Sequence, residues 1–302
     1  LNVLTNGDQL ILIDTAGPTL NKSTDNGQTW SAMAAFFPAL PAVNSMVQID
    51  ATTFYAGGVN ALYKVQGNLV TTIALAGVGT VTSLDFDGTS ILVGGTTKVA
   101  YSTDSGATFK MVTLPAGATF VDVEFQTAYA TSGLFYVTTD LGGLYEYDTN
   151  ATTPVLAQLD TLKAGAPIYA HKSGIEVLSG VGVVTGIGGP QGMVYALDAD
   201  GTLTRVKCRD TRPVTDVYAE LVSPGTNFST ASFIRMDAAA GANKITIVGD
   251  GNEIWTYTDT LAVFGTGAAV TSFTMTTAAI SWDAIAGATA YDVRIVVGSA
   301  TP

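Results

Sequence analysis

Two octapeptides constrain this chain more than any other feature. Ser23–Trp30 reads S-T-D-N-G-Q-T-W and Ser102–Phe109 reads S-T-D-S-G-A-T-F. Each has the chemistry of a hairpin tip, headed by Ser23 or Ser102. The short carboxylates of Asp25 and Asp104 accept hydrogen bonds from amides one or two residues on and so lock a turn. Gly27 and Gly106 suit a position of positive φ, where a Cβ would clash. Trp30 and Phe109 put an aromatic ring on the following strand, where it packs under the turn. A turn used twice in one chain points to a repeated supersecondary unit.

Aligning the strand that precedes each tip exposes weaker copies. Val99–Asp104 (V-A-Y-S-T-D) matches Gly143–Asp148 (G-L-Y-E-Y-D), Ala61–Gln66 (A-L-Y-K-V-Q), Val194–Asp198 (V-Y-A-L-D) and Ile254–Asp259 (I-W-T-Y-T-D). The turn slot falls at 25, 66, 104, 148, 198 and 259, with gaps of 41, 38, 44, 50 and 61 residues. Propeller blades repeat every ~40–50 residues. The pattern Ser-x-Asp-x-Gly-x-Thr-Trp resembles the Asp-box, a hairpin signature of sialidase-like and related β-propellers. The resemblance implies that Ser23, Asp25, Gly27, Trp30, Ser102, Asp104, Gly106, Phe109 and Asp148 are structural. The expected fold is all-β: a propeller over residues 1–265 with six blades, seven being the alternative.

The stretches between the tips share one order: apolar strand, turn, apolar strand, glycines, strand, tip. Val81–Phe86, Asp87-Gly88, Ser90–Val93 and Gly94-Gly95 show it most plainly, and Ser45–Ile49, Thr53–Ala56 and Gly57-Gly58 repeat it. Phe120–Phe125, Leu134–Thr138 and Gly142-Gly143 follow suit. Crowding of inner strands near a propeller axis would explain the paired glycines. Gly180–Gly192 is glycine-rich but lacks the lysine of a phosphate loop, and no helical pattern follows it.

At about residue 266 the character changes. Ile280–Ile295, I-S-W-D-A-I-A-G-A-T-A-Y-D-V-R-I, resembles the opening of a fibronectin type III domain, with Trp282 as the core tryptophan and Tyr291-Asp292-Val293 as the third strand. Such a sandwich needs about 100 residues. Residues 266–302 therefore read as a linker and the first strands of an incomplete domain, a partial C-terminal β-sandwich. A longer natural protein is expected, and the start at Leu1 reads as a mature or trimmed product.

The formal net charge of −12 argues against nucleic acid and against anionic lipid as partners. Only 13% of residues are charged, about half the usual quarter. No apolar run reaches the 18 residues of a transmembrane helix. Cys208 is the sole cysteine and His171 the sole histidine, which excludes an intrachain disulfide and a multi-histidine metal site. Asp198-Ala199-Asp200-Gly201 is a weak Ca²⁺ candidate with too few carboxylates in register for an EF-hand; a plain turn is the favoured reading, and no cofactor is expected. Sequons at Asn21, Asn150 and Asn227 are candidate glycosylation sites.

Two enzymatic readings are open to test. Sialidases need three arginines from different blades to clamp a carboxylate. Here no arginine precedes Arg205, and Arg205, Arg209 and Arg212 are crowded together, so that activity is rejected. The segment Gly133–Asp148 resembles the Arg-Thr-Asp-x-Gly-Gly-x-Tyr stretch of two-propeller xyloglucan endoglucanases. That resemblance maps a catalytic carboxylate onto Asp140, with Thr138 in place of the arginine. Inverting hydrolysis needs a second carboxylate, which a single propeller does not supply. A structural Asp140 is favoured, and the chain is read as a non-enzyme.

The expected role is an extracellular or cell-surface structural or binding protein: a surface-layer, sheath, filament or adhesion subunit. Its partners would be other protein subunits, itself among them, or carbohydrate. The alternatives are a glycoside hydrolase of the xyloglucanase type and a soluble propeller assembly factor.

Overall fold

The computed structural model describes the backbone of residues 2–6, 9–14, 19–32, 43, 45–50, 52–67, 69–126, 129–159, 171–178, 193–198, 203–207, 219–221, 231–236, 244–249, 254–258, 269–273 and 278–281. It describes side chains within 21–159 and at 194–196. Apart from α1 (Tyr129–Ser132), one turn of helix, every regular element among these residues is a strand.

The strands form consecutive antiparallel meanders. The first sheet holds β1 (Asn2–Asn6), β2 (Gln9–Asp14), β3 (Thr19–Ser23) and β4 (Ser31–Ala32). The second holds β5 (Met46–Gln48), β6 (Thr53–Gly57), β7 (Ala61–Gln66) and β8 (Leu69–Ala74). The third holds β9 (Val81–Phe86), β10 (Ile91–Gly95), β11 (Lys98–Ser102) and β12 (Lys110–Thr113). The fourth holds β13 (Val121–Phe125), β14 (Leu134–Thr139), β15 (Leu144–Asp148) and β16 (Leu156–Gln158). The fifth holds β17 (His171–Leu178), β18 (Met193–Asp198), β19 (Leu203–Lys207) and β20 (Ala219–Leu221). A three-stranded sheet follows, of β21 (Ala231–Met236), β22 (Lys244–Gly249) and β23 (Ile254–Thr258), then a hairpin of β24 (Ala269–Phe273) and β25 (Ala278–Ser281).

The first strand of each sheet lies against the first strand of the next, in the series β1, β5, β9, β13, β17, β21. This is a β-propeller, with first strands innermost and fourth strands at the rim. Its apolar cores lie between neighbouring blades. Val43, Met46, Phe54, Ala56 and Val65 form a cluster on one face of the second sheet. Tyr55, Leu62, Ile91, Val93 and Ala100 bury the contact between the second and third. Leu92, Val99, Tyr101, Val121, Val123, Phe125, Phe135 and Val137 bury the next contact. Consecutive strand residues point to opposite faces. Both faces of these blades are covered, so β6, β10 and β14 are buried at every position.

The glycine pairs are not all alike. Gly57 is the last residue of the second strand β6, and Gly94 is the penultimate residue of β10. A Cβ on Gly57 would stand 2.4 Å from Val81 Cγ1, and one on Gly94 would stand 2.3 Å from Ser83 Oγ and 3.2 Å from Val121 O. The second strand therefore ends in glycine where the next blade's first strand crosses it. Gly142 and Gly143 lie instead in the β14–β15 turn, with φ of 98° and 105°.

The weak repeat copy at Val194–Asp198 also needs correction. Val194–Asp198 lies in β18, the second strand of its sheet, whereas Ser23, Gln66, Ser102 and Asp148 each end a third strand. β18 (M-V-Y-A-L-D) carries the apolar run ending in Asp that β15 shows, whereas the third strand here, β19, reads L-T-R-V-K and carries no such signal. Trp282 and Tyr291–Val293 lie outside the described residues.

Candidate functional site

The two octapeptides fold into superimposable turns between the third and fourth strands. Asn26 and Gly27 have φ of 56° and 84°, and Ser105 and Gly106 have 56° and 83°. Gln28 N–H donates to Asp25 O, and Ala107 N–H to Asp104 O, both at 3.3 Å. Two central residues at positive φ define the type I′ turn, whose twist matches that of paired strands.

Side chains seal each turn from both sides. Ser23 Oγ donates to Asp25 Oδ1 at 2.7 Å and accepts the Gly27 amide at 2.8 Å. The Thr29 amide and hydroxyl donate to the two oxygens of Asp25 at 2.8 and 2.6 Å. Ser102, Asp104, Gly106 and Thr108 repeat the same bonds at 2.7, 2.8, 2.9 and 2.6 Å. The Thr29 hydroxyl, then its amide and the Ser23 hydroxyl, hold Asp25 down to about 2, and Thr108 and Ser102 do the same for Asp104. Thr29 and Thr108 were given no role from sequence, although their spacing of four from the aspartate was visible. Trp30 folds back over its turn, donating Nε1–H to Gly27 O at 3.1 Å, and stays 40% exposed; Phe109 packs on the core between the second and third blades.

Asp148 makes a simpler turn: its Oδ1 accepts the Asn150 amide at 2.9 Å. The Asn150 side-chain amide donates to Ser132 O at 3.1 Å, so this sequon's nitrogen is already engaged. Asn21 sits within β3, opposite Leu12 and Ala32. Asn227 and Asp200 lie outside the described residues, and Asp198 closes β18.

Turns two-to-three of a meander lie at the opposite end from turns three-to-four, so Asp140 stands at the other end of the propeller from Asp25 and Asp104. Asp140 accepts the Thr119 amide at 3.0 Å and the Thr119 hydroxyl, and its own amide donates to Phe120 O at 3.2 Å. Partial burial raises its pKa, but hydrogen bonds from the Thr119 hydroxyl and the Phe120 and Thr119 amides outweigh it and leave the group below the ordinary range. The carboxylate thus ties the β14–β15 turn to the segment entering β13. No group of three or more His, Cys, Asp or Glu side chains able to hold a metal occurs among the described residues.

One polar cluster escaped the sequence reading. On β9, Thr82 Oγ1 accepts the Val121 amide of β13 at 3.0 Å and donates to Val121 O at 2.5 Å, and Ser83 Oγ donates to the same oxygen at 2.9 Å. Asp85 Oδ2 accepts the Phe125 amide at 2.7 Å, and its Oδ1 the Phe86 amide at 2.7 Å. These side chains satisfy the inner edge of the neighbouring blade, which has no strand to pair with on that side. The available signal was an aspartate inside a strand, a position where that residue is depleted.

No protein-family model matches the chain, and no curated protein matches it. Solved structures do. YCF48 from Cyanidioschyzon merolae superposes with a TM-score of 0.57 at 14% identity, over 85% of this chain and 81% of that one. The extracellular domain of the putative one component system BT4673 from B. thetaiotaomicron gives 0.56 at 16% identity, over 85% of this chain and 32% of that one. The N-terminal domain of Nup159 gives 0.51 at 11%, over 84% and 74%. The likeness is one of fold. At these identities no site residue carries over.

Proposed function

We propose that the chain is a non-enzymatic interaction scaffold, an extracellular or cell-surface subunit of a surface layer, sheath, filament or adhesion structure. The observation that supports this best is what its singled-out carboxylates do. Asp25, Asp104, Asp140 and Asp148 each accept a backbone amide of a turn or of the segment beside it. Their chemistry goes into holding the frame. A propeller so braced offers broad faces and short protected edges for contacts. The low charge leaves Thr, Ala and Val surfaces that pack with little desolvation cost. The fibronectin-like reading of residues 266–302 fits the same role, since such modules accompany other domains in surface proteins. The partners would be protein subunits or carbohydrate, and the reading needs no cofactor.

Fractionation of the source cells is the test. Recovery of the chain in a detergent-resistant surface array or filament supports the proposal; a monomer confined to a soluble compartment favours an assembly factor instead. Turnover of xyloglucan or β-glucan oligosaccharides that is lost in Asp140→Ala would establish the hydrolase in its place.

A further inference from the structure

From β8, the rim strand of the second blade, we infer a self-pairing surface: β8 joins β8 of a second copy, antiparallel, about a two-fold axis at Thr72. This deepens the scaffold reading by naming a contact, and it rests on that reading only for its purpose.

The five rim strands among the described residues differ in how their edges are protected. β4 has two residues, and β16 and β20 have three each. β12 carries Lys110, whose ammonium lies over the Tyr101 ring. Short length and lysine are the usual protections of an edge. β8 has neither. It runs for six residues, pairs with β7 without a bulge, and has no further strand beside it among the described residues. Leu69 is 64% exposed, and Thr71, Thr72 and Ala74 are exposed too.

Hydrogen-bond parity says which groups face out. Leu75 N–H donates to Asn60 O at 2.7 Å, and the register runs from Ala61↔Ala74 to Gln66↔Leu69. Opposed residues that exchange bonds alternate along an antiparallel pair. Leu69, Thr71 and Ile73 therefore turn their backbone groups towards β7, and Val70, Thr72 and Ala74 turn theirs outward. That outward set is symmetric about Thr72. Turned by two-fold rotation it pairs with itself, Thr72 opposite Thr72 and Val70 opposite Ala74, which is the condition for a closed isologous contact. The occupant is a second copy for a further reason. Two chains of net charge −12 repel overall, but the run Val65–Leu84, which contains β8, has no charged residue, so this edge is a place where two copies meet without like charges opposed at the seam. Small and β-branched side chains flank the seam.

Sedimentation velocity across micromolar concentrations, with amide exchange at Thr72, tests the pairing. The wild type should dimerise and protect the Thr72 amide. Thr72→Pro removes an N–H that β7 does not use, so it should leave the denaturant midpoint nearly unchanged and abolish the dimer. If that variant fails to fold, Thr72→Lys and Thr72→Glu serve: each alone should raise the dimer dissociation constant by about tenfold or more, and mixing the two should restore association. A wild type that is monomeric throughout overturns the inference, whether its Thr72 amide exchanges freely or is covered by another segment. A dimer indifferent to all three substitutions overturns it as well. Neither result bears on recovery of the chain in a surface array, so failure here and failure of the scaffold reading are distinguishable.

Discussion

Asp85 on the first strand of the third blade accepts the Phe125 amide of the fourth blade at 2.7 Å. Burial, with Asp122 and Asp87 nearby, pushes its carboxyl up from 3.8 to about 6, against the pull of the Phe125 and Phe86 amides. The folded chain therefore holds a proton there that the unfolded chain has released. The stability from this group is fully present below about pH 4 and is lost as pH rises through about 6. Asp25 and Asp104, held down to about 2, act in the other direction: their contribution is present above about 3.8 and lost as pH falls through about 2. Thermal melts should show stability rising from pH 7 towards pH 4 and falling at more acid pH. In Asp85→Asn the slope between pH 4 and 7 should flatten, by an amount on the order of 1–3 kcal/mol across the window. An unchanged slope would contradict this linkage.

Ser102→Ala should be costly for a surface hairpin. Ser102 is 1% exposed, and its hydroxyl is the partner of the buried Gly106 amide at 2.8 Å. Orphaning that donor should cost roughly 1–3 kcal/mol, read as a lower urea midpoint at constant slope.

Gly94→Ala tests the blade crossing. The new methyl would meet Ser83 Oγ at 2.3 Å and Val121 O at 3.2 Å. A rotamer change at Ser83 relieves only the first contact, so a loss of about 1–3 kcal/mol is expected in denaturant titration.

Ser105→Asn should stabilise. Ser105 sits at φ 56°, where the matching residue of the first turn is Asn26. Asparagine tolerates that region better than serine, and a gain of about 0.5 kcal/mol should appear as a higher Tm.

The repeat and its hairpins were legible because they are local. Ser23, Asp25 and their counterparts accept amides within four residues, so a turn's chemistry is written in its own octapeptide. Strand order within a blade was legible for the same reason: adjacent strands in sequence are adjacent in the sheet. What sequence could not show is how one blade meets the next. Thr82, Ser83 and Asp85 find their partners at Val121 and Phe125, about 40 residues away, and nothing in V-T-S-L-D-F names them. Gly57 and Gly94 look like Gly142-Gly143, yet the first two make room for a neighbouring strand and the last pair makes a turn. Asp140 is the clearest case. Its motif admits a catalytic or a structural carboxylate, and its bonds to Thr119 depend on chain crossing the blade end. Turn chemistry is set by neighbours along the chain, whereas blade contacts exist only once distant strands have packed.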